Sequence, residues 1–158
     1  MKRVWEFFKM LILSPEALIV LVFGAALKVS PQTFTKIGSM LSGNKEPIRF
    51  LAFVPFVMLG LIMNGKKDLL FPEHEAESLL QQWPEYYLIL DRYWVSIIIC
   101  AVCGITEIII WALNLPLAKP SVLASFIAAI VVSPVTYLLF HNATIKIRRM
   151  LSAAKVKQ

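Results

Sequence analysis

Glu107 is the side chain whose type and position most need an explanation. It stands inside a long apolar run, about eight residues before Leu115, or roughly 12 Å from the end of that run at helical rise. A charge at that depth in hydrocarbon costs at least a few kcal/mol unless it is shielded. The carboxyl is therefore expected to be neutral, hydrogen-bonded or open to a water-filled crevice. Two roles stay open for it: a proton or ion site, or a structural hydrogen bond across a helical bundle. Ser96, Cys100, Cys103, Gly104, Glu107, Trp111 and Asn114 follow one another at spacings of mostly three and four. They share one helical face, while Ile98, Ile99, Ile105, Ile109 and Ile110 largely occupy others. That small and polar face must look into protein.

Two further groupings carry reactive residue types. Cys100 and Cys103 form a C-x-x-C, a redox motif in a soluble α/β protein. Within an apolar span, with no charged activator on the adjacent turn, it reads as two small residues at a helix contact. Glu73-His74-Glu75 with Glu77 offers metal-ligand types, yet no second His or Cys lies at a spacing that would complete a site. No metal, cofactor or catalytic residue is expected.

The elements that hold these residues follow from composition. Of 158 residues 58% are hydrophobic and 16% charged, and the mean hydropathy is +0.71. A water-soluble domain carries about a quarter charged residues, so the excess apolar surface must face lipid. Four apolar stretches predict an all-α, polytopic membrane protein forming a single domain, with spans at about 10–27, 48–65, 93–114 and 120–140. The first follows Met1-Lys2-Arg3 and resembles a secretory signal, but three further spans make cleavage unexpected. The second must accommodate Arg49 by snorkelling and should kink at Pro55. The third and fourth form a hairpin across the turn 115–119. Tyr93, Trp94 and Trp111 sit where aromatic belts meet headgroups.

Lys and Arg set the orientation. Lys2, Arg3, Lys9, Lys66, Lys67, Arg92, Lys146, Arg148, Arg149, Lys155 and Lys157 fall on one side, and Lys28, Lys36, Lys45, Arg49 and Lys119 on the other. The richer side stays inside, so both termini, the 66–92 loop and the basic tail at 142–158 are expected in the cytoplasm, beneath a bacterial inner membrane. Basic flanks of this kind hold lipid phosphates, and nucleic acid is not an expected partner of this chain.

Between the spans, Ser30-Pro31 reads as an N-cap with proline at the first helical position. Phe34, Ile37 and Leu41 then recur until Gly43, which predicts a short interfacial helix. The stretches Val4 to Leu11 and Ile145 to Leu151 look similar on the inner surface. The 66–92 loop is acidic. Glu73, Glu75 and Glu77 follow Pro72 in the first turn of a helix, where the macrodipole favours them. A second helix is expected to start at Pro84 and run unbroken into the third span as a short stalk. With Trp83, Tyr86 and Tyr87, residue types enriched at binding hot spots, the loop reads as a surface for a cytoplasmic protein partner, or equally as packing against neighbouring subunits. On the fourth span Ser121, Ser125, Ala129 and Ser133 recur every fourth residue, a small-residue stripe that lets helix backbones approach. Pro134 should bend its inner end. A homo-oligomer is expected.

Trp5-Glu6-Phe7-Phe8-Lys9, Leu13-Ser14-Pro15, an apolar span, Ser30-Pro31 and a second span after Arg49 resemble the start of small prophage superinfection-exclusion membrane proteins of the exclusion protein B type. The resemblance covers about the first 67 residues; the acidic loop and second hairpin lie outside it. It implies a non-enzymatic inner-membrane factor that blocks phage infection, a sensor or effector engaging a partner through the 66–92 loop. An oligomeric channel or transporter lined by Glu107, and an immunity protein against a pore-forming toxin, are the alternatives.

Overall fold

A computed structural model of the chain describes residues 14–43, 45–65 and 86–155. The regular elements among them are all helices: α1 (Pro15–Val29), α2 (Pro31–Ser42), α3 (Lys45–Leu51), α4 (Val54–Asn64), α5 (Tyr86–Ala112) and α6 (Pro120–Lys155). α5 and the Pro120–Lys146 part of α6 are long and apolar enough to cross a membrane, with mean hydropathies of 2.3 and 2.2. α1 and α2 make a third candidate only if taken as one broken span, and they are bent by 100°. Ile48–Asn64 is apolar but short. Of the four expected spans, length and composition alone thus support two, or three with the bent pair. Residues 10–13 of the expected first span lie outside the described residues. Large apolar side chains face outward, Leu21 at 71% and Val102 at 57% exposure among them, as suits helices solvated by lipid rather than water.

Local chemistry sets the breaks. Ser14 caps α1, its Oγ accepting from the Ala17 N–H at 3.2 Å, and Pro15 takes the first turn, where a missing N–H costs nothing. α2 begins after Ser30 as expected. The Ser30 hydroxyl, however, pairs with that of Thr33 at 2.6 Å rather than capping the backbone. The second apolar stretch is not one kinked helix. It breaks at Ala52-Phe53, and Pro55 falls in the first turn of the new helix, the one place where proline fits without breaking a hydrogen bond. α6, by contrast, stays helical through Pro134, which lies in its interior.

α5 ends at Ala112, two residues before the expected limit. Asn114 adopts the left-handed conformation, φ 47°. The Leu115 N–H reaches the Ile110 carbonyl at 2.9 Å, and the Asn114 N–H reaches that of Trp111 at 3.1 Å. Leu115 also packs with Ile110 in the same apolar cluster. This is a Schellman termination, in which asparagine is the commonest substitute for glycine. Asn114→Val is expected to cost about 1–2 kcal/mol, because a β-branched side chain is strained there, and Asn114→Gly close to nothing. Denaturant titration in mixed micelles would measure both, and equal stability of the two variants would refute the assignment.

Two apolar clusters hold the helices. At one end Ile48, Ala52, Ile110, Leu117, Val122 and Phe126 gather, with Leu41 of α2 against them. At the other, Ile62, Tyr93, Cys100 and Phe140 do so, with Met58 and Tyr137 alongside. The α3–α4 stretch therefore starts in one cluster and finishes in the other. α2 lies over the turn between α5 and α6. Gly38 is buried there, so close to the Leu117 carbonyl oxygen that a Cβ would collide with it, and the same Cβ would stand 2.9 Å from the Ala118 Cα.

Two interfacial expectations change. Tyr93 is buried at 2% exposure, edge-on to Trp94 and 5.8 Å from the Phe140 ring, so it belongs to the core; Trp94, 49% exposed, is the one that faces outward. The first turns of α5 are not a free stalk either. Helix runs unbroken from Tyr86, but Tyr86 and Ile89 pack on the second cluster.

Candidate functional site

Among the described residues, four buried hydroxyls find partners within their own helix. The Ser96 hydroxyl donates to the Arg92 carbonyl at 2.8 Å, Ser133 to Ala129 at 2.7 Å, Thr136 to Val132 at 2.9 Å and Thr144 to Phe140 at 3.1 Å. Each is the four-residue back-bond by which a helix supplies a partner for its own hydroxyl. A carboxylate has no proton to give its own backbone, so acids need something else.

Glu16 has found it. The Arg92 guanidinium donates to its Oε1, joining α1 to α5 in an ion pair whose side chains are 3% and 15% exposed. Glu107 has not. It is 1% exposed, and neither of its oxygens has a hydrogen-bond partner among the described residues. One turn further along α5, the Trp111 Nε1–H is buried and has no acceptor among the described residues. Unmatched buried groups cost about 1–3 kcal/mol each, more for a charge.

Both residues line a crevice of about 430 Å³ between α5 and the α3–α4 stretch. Arg49, Phe53 and Phe56 form the facing wall, and Asn114 stands at its edge. The Arg49 guanidinium lies 5.7 Å from the centre of the Trp111 ring, a cation–π geometry. Arg49 thus does more than snorkel. The crevice brings together a carboxyl, a guanidinium and an indole N–H within apolar walls, a set suited to gripping a guest that carries charges of both signs. Phe56 on this wall lays its ring against Gly104, with 2.9 Å from a ring carbon to where a Cβ would be.

The face expected from spacing is largely realised. Ser96, Cys100, Gly104 and Glu107 are buried and Cys103 is half-buried, with the Ser133 hydroxyl beside the Cys103 sulfur. Asn114 departs from it, because its left-handed turn carries it off the helix into an exposed position. Both cysteines are free thiols. On α6, Ala129 and Ser133 are buried as expected of a packing stripe, but Ser121 and Ser125 are exposed. They edge a shallow groove with Thr106 and Ile109, so within one chain only the inner half of the stripe is used. Of the partner-binding residues, Glu73, Glu75, Glu77 and Trp83 lie outside the described residues; Tyr86 is half-buried and Tyr87 is 41% exposed. Among the described residues, no group of three or more His, Cys, Asp or Glu side chains converges as a metal site would require.

Sequence reasoning missed two pairings, Glu16 with Arg92 and Arg49 with Trp111. The signal for the first was available. A lone acid in an apolar run demands a cation, and Arg92 stands at the lip of another such run. For the second it was not, because nothing in the spacing brings residue 49 to residue 111.

The chain matches no protein-family model, no curated protein and no solved structure.

Proposed function

We propose that this chain is a non-enzymatic membrane sensor that takes its input at the Glu107 crevice. It works as a four-span subunit of a bacterial phage-exclusion system in the inner membrane, with both termini in the cytoplasm. The observation that supports this best is the contrast between two of the buried acids, Glu16 and Glu107. Glu16 is paired and serves the fold, whereas Glu107, at the wall of a crevice, has no partner among the described residues. An ionisable group held within a membrane span is by default a candidate for function.

The four-span arrangement draws on contacts rather than helix length. Glu16 stands level with Arg92 at one end of the bundle, and α2 lies on the 115–118 turn at the other. The α3–α4 stretch runs between the same two ends. With Arg92 neutralised by Glu16, the basic residues still favour the cytoplasmic side ten to five. Output then passes to the cytoplasmic ends of the helices and the acidic 66–92 loop, where a protein partner would engage, in the manner that the resemblance to exclusion proteins implies.

Phage plating on bacteria expressing the chain tests this. Expression should lower plating efficiency for at least one phage, and Glu107→Gln should restore it while leaving membrane insertion intact. Protection unaffected by Glu107→Gln would defeat the proposal. Transport is the second reading, favoured by the same unmatched carboxyl. Phe56 lines the crevice with its ring packed on Gly104, an apolar contact between α4 and α5 that weighs against an open path there. Ion flux in liposomes, lost in Glu107→Gln, would reverse that preference.

A further inference from the structure

We propose that the Glu107 crevice holds the headgroup of an ethanolamine phospholipid, with its phosphate on Arg49 and Trp111 and its ammonium on Glu107. The inference deepens the sensor reading, on which it rests for the crevice being an input site.

The polar groups that line the crevice define the guest. Arg49 offers a guanidinium, which recognises phosphate oxygens. Trp111 offers one buried N–H that needs an acceptor, and Glu107 offers two oxygens that need donors. A simple cation would satisfy Glu107, leave the Trp111 N–H unmet and bring like charge to Arg49. A simple anion would do the reverse and bring like charge to Glu107. A zwitterion serves all three at once, provided its cationic end carries N–H groups. Phosphoethanolamine has an acceptor-rich phosphate and an ammonium with three donors, two carbons apart. Glu107 and Trp111 are one helical turn apart, about 6 Å of rise, which such a headgroup can bridge. Choline has the same charges but no N–H, so it would leave both Glu107 oxygens without hydrogen bonds. Phosphatidylglycerol lacks the cation altogether.

The mouth of the crevice points to lipid rather than to a dissolved zwitterion. Phe53 at 61% and Ile108 at 53% exposure flank it, and on the outside of a helical bundle such side chains face acyl chains. Phe50 and Val57, 74% and 55% exposed on the same stretch as Phe53, extend that apolar surface to either side. A phospholipid can lay its tails there while its headgroup turns inward. The volume of about 430 Å³ accommodates a headgroup and excludes a second whole lipid.

Native mass spectrometry of the full chain, released from nanodiscs of equimolar phosphatidylethanolamine, phosphatidylcholine and phosphatidylglycerol, reads the proposal directly. The parent should retain the ethanolamine lipid over the choline lipid by about tenfold, the value of one charge-assisted hydrogen-bonded contact. Glu107→Gln, nearly isosteric, should abolish that preference. Arg49→Gln should weaken retention of all three lipids while leaving the ethanolamine-to-choline ratio above one. Equal retention of ethanolamine and choline lipids by the parent, or an unchanged ratio in Glu107→Gln, would overturn the assignment. So would displacement by free glycerophosphoethanolamine or phenylalanine, which would make the guest a soluble zwitterion. Plating separates the two proposals. Protection that still depends on Glu107 without lipid selectivity leaves the sensor standing and removes the lipid, and selectivity without protection does the opposite.

Discussion

Arg92→Leu should destabilise the folded chain by about 3–5 kcal/mol, the cost of stranding one member of a buried ion pair. The substitution leaves the Glu16 carboxyl, 2% exposed, without its guanidinium, and its other oxygen, Oε2, already has no partner among the described residues. Removing both charges tells a different story. Glu16→Gln with Arg92→Leu should recover most of the loss, since desolvation of the pair offsets much of its attraction. Unfolding by SDS titration in mixed micelles measures all three proteins on one scale. A single variant within 1 kcal/mol of the parent would show that Glu16 and Arg92 are solvated rather than paired.

Gly38→Val is the second large effect, expected at about 3 kcal/mol or more, at the upper end for overpacking. Gly38 faces main-chain atoms, the Leu117 carbonyl and the Ala118 Cα, and these cannot rotate aside as a side chain can. α2 must lift from the turn, exposing Leu117 and Leu41 of the apolar cluster beneath. Gly104 is the internal control. The atoms nearest a Cβ there belong to the Phe56 ring, a side chain that can shift, so Gly104→Ala should cost about 1 kcal/mol. Proteolysis of the 30–44 segment in proteoliposomes should speed sharply for Gly38→Val and barely for Gly104→Ala; equal rates would mean that α2 is not docked on the turn.

How much of this could be read from residues alone depends on the range of the interaction. Spacing along one helix located the Ser96-to-Glu107 face, because the helical repeat is a local property that burial rarely overrides. The hairpin of α5 and α6 was legible for the same reason, as was α2 from Ser30-Pro31 to Gly43. Failures occur where two distant segments meet. Tyr93 was placed at the headgroups by its amphipathic ring, but Phe140 and Trp94 supply a core position for it. Pro55 was expected to bend a helix and instead begins one, since the break at Ala52-Phe53 lets Ala52 drop into the cluster with Leu117. The crevice was half visible. Glu107 was singled out from its depth, while Arg49, 58 residues earlier in the chain, was assigned to the membrane surface for want of a visible partner.

The Glu16–Arg92 pair also bears on how the protein is made. The two residues are 76 apart in the chain, so at roughly 5–20 residues per second the ribosome leaves Glu16 without its cation for about 4–15 s. For that interval the first apolar segment carries a bare acid, a poor candidate for release into hydrocarbon. Lateral exit from the insertion channel should therefore wait until α5 arrives, and the two helices should enter the bilayer together.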